Sequence, residues 1–238
     1  MVTPGAMRSA PAPPLPRNAR RSFSIAAGLV VLYLVLDVIA QLLPPHYSPV
    51  TQAESDLAVG PYGGVMTVNF VVRGLLTFAF LNGLRLTVVG EGGAWARYGR
   101  GHAAFAVWGI GAFLLAIFPT DVPSTPLSWH GAIHLVVAIL AFIGGALGTY
   151  WVATRFGASA TFRPAKGWAT ALAWVTIVLL AVELLGGFAL PRVAARAGGL
   201  LERLFLGSVL LWLFLVSVYA LRTGGSTPSS TGTAPSDA

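Results

Sequence analysis

The sequence predicts an all-α membrane protein, a six-transmembrane-helix bundle with both termini cytoplasmic. Three observations predict it. The 238 residues are 55% hydrophobic and only 10% charged, whereas a soluble domain carries about 25% charged residues. The apolar residues gather into six runs near the length of about 20 residues that a helix needs to cross a bilayer. The basic residues are unevenly shared between the two ends of those runs. A β-barrel would alternate apolar and polar residues in short segments, and the long unbroken runs exclude it. With no cysteine, disulfides, thiolate metal sites and cysteine nucleophiles are excluded too. The formal net charge of +7 does not point to nucleic acid, because the arginines are scattered at the ends of apolar runs rather than gathered in a stripe.

Residues 1–21 are rich in proline, alanine and arginine, lack periodicity and read as a disordered basic tail. A cleaved signal peptide is disfavoured: the following run is too long and no small-residue cleavage site closes it. The transmembrane domain spans residues 22–222. Its apolar runs cover residues 23–43, 62–86, 101–118, 128–153, 167–188 and 200–221. Each must be helical, because lipid offers backbone polar groups no other partner. Residues 223–238 form a second low-complexity tail.

Lysine and arginine near the helix ends set orientation. Arg8, Arg17, Arg20, Arg21, Arg85, Arg97, Arg100, Arg155, Arg163, Lys166 and Arg222 fall on one side, and Arg192, Arg196 and Arg203 on the other. The first side is expected to be cytoplasmic, in the cell membrane, with the connections 44–61, 119–127 and 189–199 outside. Trp129, Trp151 and Trp168 fall at the expected interfaces. Gly144 and Gly148 read as a close helix-packing site.

On this topology most of the ionisable residues collect at the outer end. Asp37, Arg73 and Glu183 lie within helices, where a charge needs a partner or a wet cavity. With Glu202 and Arg203 they outline an outward-facing polar cavity that would bind membrane lipid or a lipid-linked substrate. His130 and His134 are spaced i, i+4, which places both rings on one helix face. With Asp121 they have the composition of a catalytic zinc site. The alternative is a pair of helix-start histidines bonded to loop carbonyls and to Asp121. Ser55 and Asp56 read either as an N-terminal cap or as part of a re-entrant segment that reaches the cavity.

The segments HYSPVTQAESDLAVGPYGG, GIGAFLLAIFPTD, WHGAIH and GLLERLFLGSVLLW resemble, in order and spacing, a prokaryotic membrane family catalogued as domain of unknown function 998. That resemblance covers roughly residues 24–221 and marks Ser55, Asp56, Asp121, His130, His134, Glu202 and Arg203. A looser likeness is to the alkaline ceramidase and adiponectin-receptor membrane hydrolases, which combine serine, aspartate and H-x-x-x-H around zinc. Those proteins usually have seven helices and a third histidine ligand; this chain has six runs, and His46 is its one spare outer histidine. Three functions follow. In a zinc-dependent hydrolase, His130, His134 and Asp121 would hold the metal, Asp56 would act as general base and Ser55 or Arg203 would stabilise the oxyanion. In an ion-coupled transporter, Asp37, Glu183 and Arg73 would relay protons. In a lipid-binding or structural protein, the polar cluster would be static.

Overall fold

A computed structural model describes residues 14–122, 125–186 and 190–223. Most of the two tails lies outside the described residues. Six helices follow in order: α1 (Arg17–Leu42), α2 (Gly63–Gly90), α3 (Gly99–Ile117), α4 (Trp129–Arg155), α5 (Lys166–Leu184) and α6 (Pro191–Thr223). Six spans are long and apolar enough to cross a membrane, the third counted with the short helical turn before α3. No strand occurs among the described residues.

Two helix starts differ most from the sequence reading. Helix α1 starts at Arg17, inside the stretch expected to be tail. Pro16 precedes it and its carbonyl accepts from Arg20 N at 3.0 Å; arginine is itself a good helix former, so the helix extends past the apolar run. Helix α6 starts at Pro191, nine residues before its apolar run. Proline suits a first helical position, where no partner for its missing N–H is needed, and Leu190 O accepts from Val193 N and Ala194 N. Arg192 and Arg196 are therefore helical and not in a loop. At 33 residues α6 is ~50 Å long, well beyond a hydrocarbon core of about 30 Å.

Consecutive helices pack side by side and α6 returns against α1, which closes a ring. Helices α2 and α6 are the most enclosed, while α1 and α5 turn most of their apolar surface outward. At Gly144 a Cβ would lie 2.7 Å from the Ala104 carbonyl, and at Gly148 2.8 Å from the Phe105 ring. These glycines let α3 and α4 approach backbone to backbone within one chain.

Aromatic side chains fill most of the ring's interior. From the arginine-rich end, Phe156 stacks on Phe162 at 4.8 Å. Trp212 follows, 5.7 Å from Phe80 and 5.8 Å from Phe105, with its indole N–H given to Ala169 O at 2.9 Å. Phe142 and Phe205, 5.0 Å apart, come next beside Trp108. Each such pair adds about 0.5–1.5 kcal/mol beyond area burial. Among the described residues, the buried carboxyl groups and Arg73 gather toward the opposite end, near the connections 43–62 and 118–128.

Candidate functional site

The connection from α1 to α2 folds back over the polar end as a strap. His46, with φ at +67°, sits in the left-handed region that few non-glycine residues adopt and turns the chain. Tyr47 then donates to Ala53 O at 2.7 Å. A 3-10 turn, Glu54–Ala58, tucks in against α2 and α6. Helix α6 clamps the strap from the far side. Arg203 Nη1 donates to the carbonyls of Pro49 and Gln52 at 3.0 Å and of Gly199 at 3.1 Å, and Nη2 bonds Tyr47. Leu200 N gives its hydrogen to Val50 O at 3.0 Å. Gly199 is required here, because a Cβ would run into the Gln52 carbonyl.

This clamp drives Glu54 into the bundle, where it is 2% exposed. The Tyr33 hydroxyl from α1 donates to Glu54 Oε1. The Glu54 backbone N–H donates to Glu202 Oε2 at 2.8 Å, so turn and α6 are joined by a buried bond. Burial pushes the Glu54 carboxyl up to about 8, reinforced by the nearby Asp37 and Glu202 charges and opposed by the Tyr33 hydrogen bond and Arg73. Burial also raises Asp56. Neither Ser55 nor Asp56 caps a helix: Ala53 precedes the turn, and no side chain caps it.

On the far side, Ser128 caps α4 by accepting from Gly131 N at 3.1 Å. The same serine fixes Asp121, through its backbone N–H to Oδ2 at 2.9 Å and its hydroxyl to Oδ1 at 2.5 Å. Those two bonds hold Asp121 below the usual carboxylate range. The carboxylate lies where a Cβ of Gly131 would stand, so the glycine in W-H-G is what admits it. His134 is buried at 5% exposure, and its Nδ1 lies 2.8 Å from Phe118 O. A carbonyl only accepts, so Nδ1 carries the hydrogen, and in the neutral ring Nε2 is the acceptor.

These elements enclose a cavity of about 460 Å³ that Ser55, Asp56, Asp121, His134, Glu183 and Glu202 line on its polar side. Leu135, Ala138, Ile139 and Phe142 of α4 and Leu184 of α5 form its apolar side. The structure thus brings together residues from the strap, the α3–α4 connection, α4, α5 and α6. His130 is not among them. Its ring is exposed and stacks on Trp129, with centroids 3.6 Å apart. Arg203 is spent on the strap. Asp37, half-buried on α1, accepts from Gln41 at 2.6 Å. Arg73 is buried below the main cavity, its guanidinium over the rings of Trp108 at 4.7 Å and Phe70 at 5.2 Å.

No three histidine, aspartate or glutamate side chains stand together as a metal-holding group among the described residues. Of the expected zinc ligands, His130 turns to the surface, Asp121 is engaged by Ser128, and His134 offers one free nitrogen. As placed, the three do not come together as the donor set zinc needs. Sequence reasoning passed over Tyr33 and Tyr47, and took Glu54 only as one of the acidic residues of the outer loop. The signal for Tyr33 was its i, i+4 spacing from Asp37 on a lipid-length helix; for Glu54 there was only its place beside Ser55.

Six bilayer-length helices closed around an aromatic core define a multi-pass integral membrane protein of the α-helical class. The sequence model of the family described as Protein of unknown function (DUF998) matches residues 25–219. The chain belongs to that family, and the match runs from within α1 to within α6. No curated protein and no solved structure matches it.

Proposed function

We propose that this protein is a metal-independent membrane hydrolase that draws a lipid or lipid-linked amphiphile into the strap-covered cavity. One observation carries the reading: a single cavity joins a wall of carboxyl groups and His134 to an apolar wall of α4 and α5. Such a surface suits a polar head and an acyl chain at once. The polar end of the bundle faces outward in the cell membrane, with both termini cytoplasmic, on the strength of the arginine distribution.

The chemistry follows from the protonation states. His134, with Nδ1–H held by Phe118, presents Nε2 as a base. It takes a proton from water as the water oxygen attacks the carbonyl carbon of an ester or amide. The collapsing intermediate expels the alcohol or amine, which receives that proton from His134. Ser55, on the cavity wall, would donate to the oxyanion, and Asp56, its carboxyl raised by burial, would be a second acid–base group. Transport fits less well. Among the described residues, an aromatic stack from Phe205 to Phe156 stands between the carboxyl groups and the arginine-rich end.

The test is product analysis. Purified protein in vesicles of total bacterial lipid is incubated and the lipids compared by mass spectrometry. We expect a released fatty acid or headgroup with wild type and a loss of about 100-fold or more with His134→Gln, in the range general acid–base groups contribute. No product in any lipid class, with the variant and wild type alike, would refute hydrolysis.

A further inference from the structure

Beneath the main cavity lies a second chamber of about 20 Å³, room for one water-sized group. Ser55, His134 and Glu202 line both spaces, so the two adjoin at those side chains. Arg73 lines the small chamber. Its side chain is 1% exposed, and Nε and Nη2 have no hydrogen-bond partner. The faces of Phe70 and Trp108 balance its charge but leave those N–H donors unmet. An unpaired buried donor on a charged group is costly, so the chamber calls for an acceptor oxygen. Glu54 shares the chamber, and at neutral pH most of it keeps its proton, so it does not repel such an oxygen.

The main cavity has the opposite character. Asp56, Asp121, Glu183 and Glu202 face it, and neither lysine nor arginine lines it. Carboxyl groups above and a lone guanidinium below are complementary to a dipolar ligand, with its acceptor oxygen deep and its cation near the rim. We propose that the occupant is a zwitterionic phospholipid, one phosphoryl oxygen on Arg73 and its ammonium among the carboxyl groups. This rests on the amphiphile reading above and names the class of lipid that site selects.

The full chain, purified and delipidated in dodecyl maltoside, is titrated with dioleoyl phosphatidylethanolamine, dioleoyl phosphatidylglycerol or dioleoylglycerol, and thermal unfolding is followed. Glycerophosphoethanolamine, which lacks chains, is the fourth arm. We expect phosphatidylethanolamine to stabilise at a concentration at least tenfold lower than phosphatidylglycerol or dioleoylglycerol, and the chainless headgroup to act only weakly. Arg73→Met should abolish that preference. Asp56→Asn combined with Glu183→Gln, at half-exposed positions that tolerate change, should narrow the gap between the two phospholipids to under threefold. Equal effects of the two phospholipids, or an unchanged gap in the double variant, would overturn the zwitterion assignment. So would a folded Arg73→Met variant that keeps it. If Arg73→Met does not fold, the double variant decides. Stabilisation by all three lipids alike removes the headgroup assignment and leaves the amphiphile reading standing; stabilisation by none removes both. Equal action of the chainless headgroup assigns the site to a soluble phosphate compound and overturns the lipid.

Discussion

Glu54 makes a pH-dependent contribution to stability whose sign and size follow from its surroundings. Its carboxyl is raised from 4.5 to about 8 in the fold. A raised acid binds its proton more tightly folded than unfolded, so stability falls as pH rises between the two values. The shift of about 3.5 units, at about 1.4 kcal/mol per unit, sets an upper bound on the order of 5 kcal/mol across that window. Tyr33 and Asp37 from α1, Arg73 from α2 and Glu202 from α6 all act on it. Glu54→Gln keeps the shape and an acceptor for the Tyr33 hydroxyl, and removes the titration. We expect the wild-type unfolding midpoint in detergent, followed by tryptophan fluorescence, to fall steadily from pH 5 to pH 8. The variant should lose the Glu54 part of that slope and be the more stable protein at pH 8. Asp56, also raised by burial, leaves a smaller slope of the same sign. Asp121 is lowered by Ser128, so its contribution is lost only as pH falls through its folded value, below this window. A wild-type midpoint that is flat or rises with pH would refute the reasoning, as would a variant with the full wild-type slope.

Four further outcomes are expected. Arg203→Met strands the Pro49 and Gln52 carbonyls and should cost about 1–3 kcal/mol, with limited proteolysis then cutting within residues 44–62. Gly199→Ala pushes a Cβ against the Gln52 carbonyl and should destabilise by about 1–3 kcal/mol, read as a lower unfolding midpoint. Metal analysis of the purified protein should find no stoichiometric zinc, and a 1:1 content lost in His130→Ala would restore the histidine–aspartate site. Because the chain lacks cysteine, single cysteines report topology directly: one at Thr51 should label from outside intact cells and one at Ala158 should not, whereas Ser124, the other outer position, lies outside the described residues.

The class and the six spans are legible in the chain alone. Lipid permits little but helices, and a run of about 20 apolar residues is legible without knowledge of its neighbours. The sequence also marked the ionisable residues that line the cavity, because such groups are rare enough in this chain to stand out. Helix ends were less legible. At Arg17 and Pro191 local propensity carries a helix beyond its apolar run, and hydropathy does not register that. Partnership between side chains came from the tertiary packing. Spacing put His130 and His134 on one face, but a face has edges: His134 packs inward against Phe118 and Phe70, while His130 lies out on Trp129. Glu54 looked like one more loop carboxylate until the Arg203 clamp, 149 positions further along the chain, pressed its turn into the bundle. Arg73 read as a charge within a helix. The aromatic faces beneath it and the small chamber beside it come from α2, α3, α4 and α6 and the strap together, an assembly that no local pattern in the chain encodes.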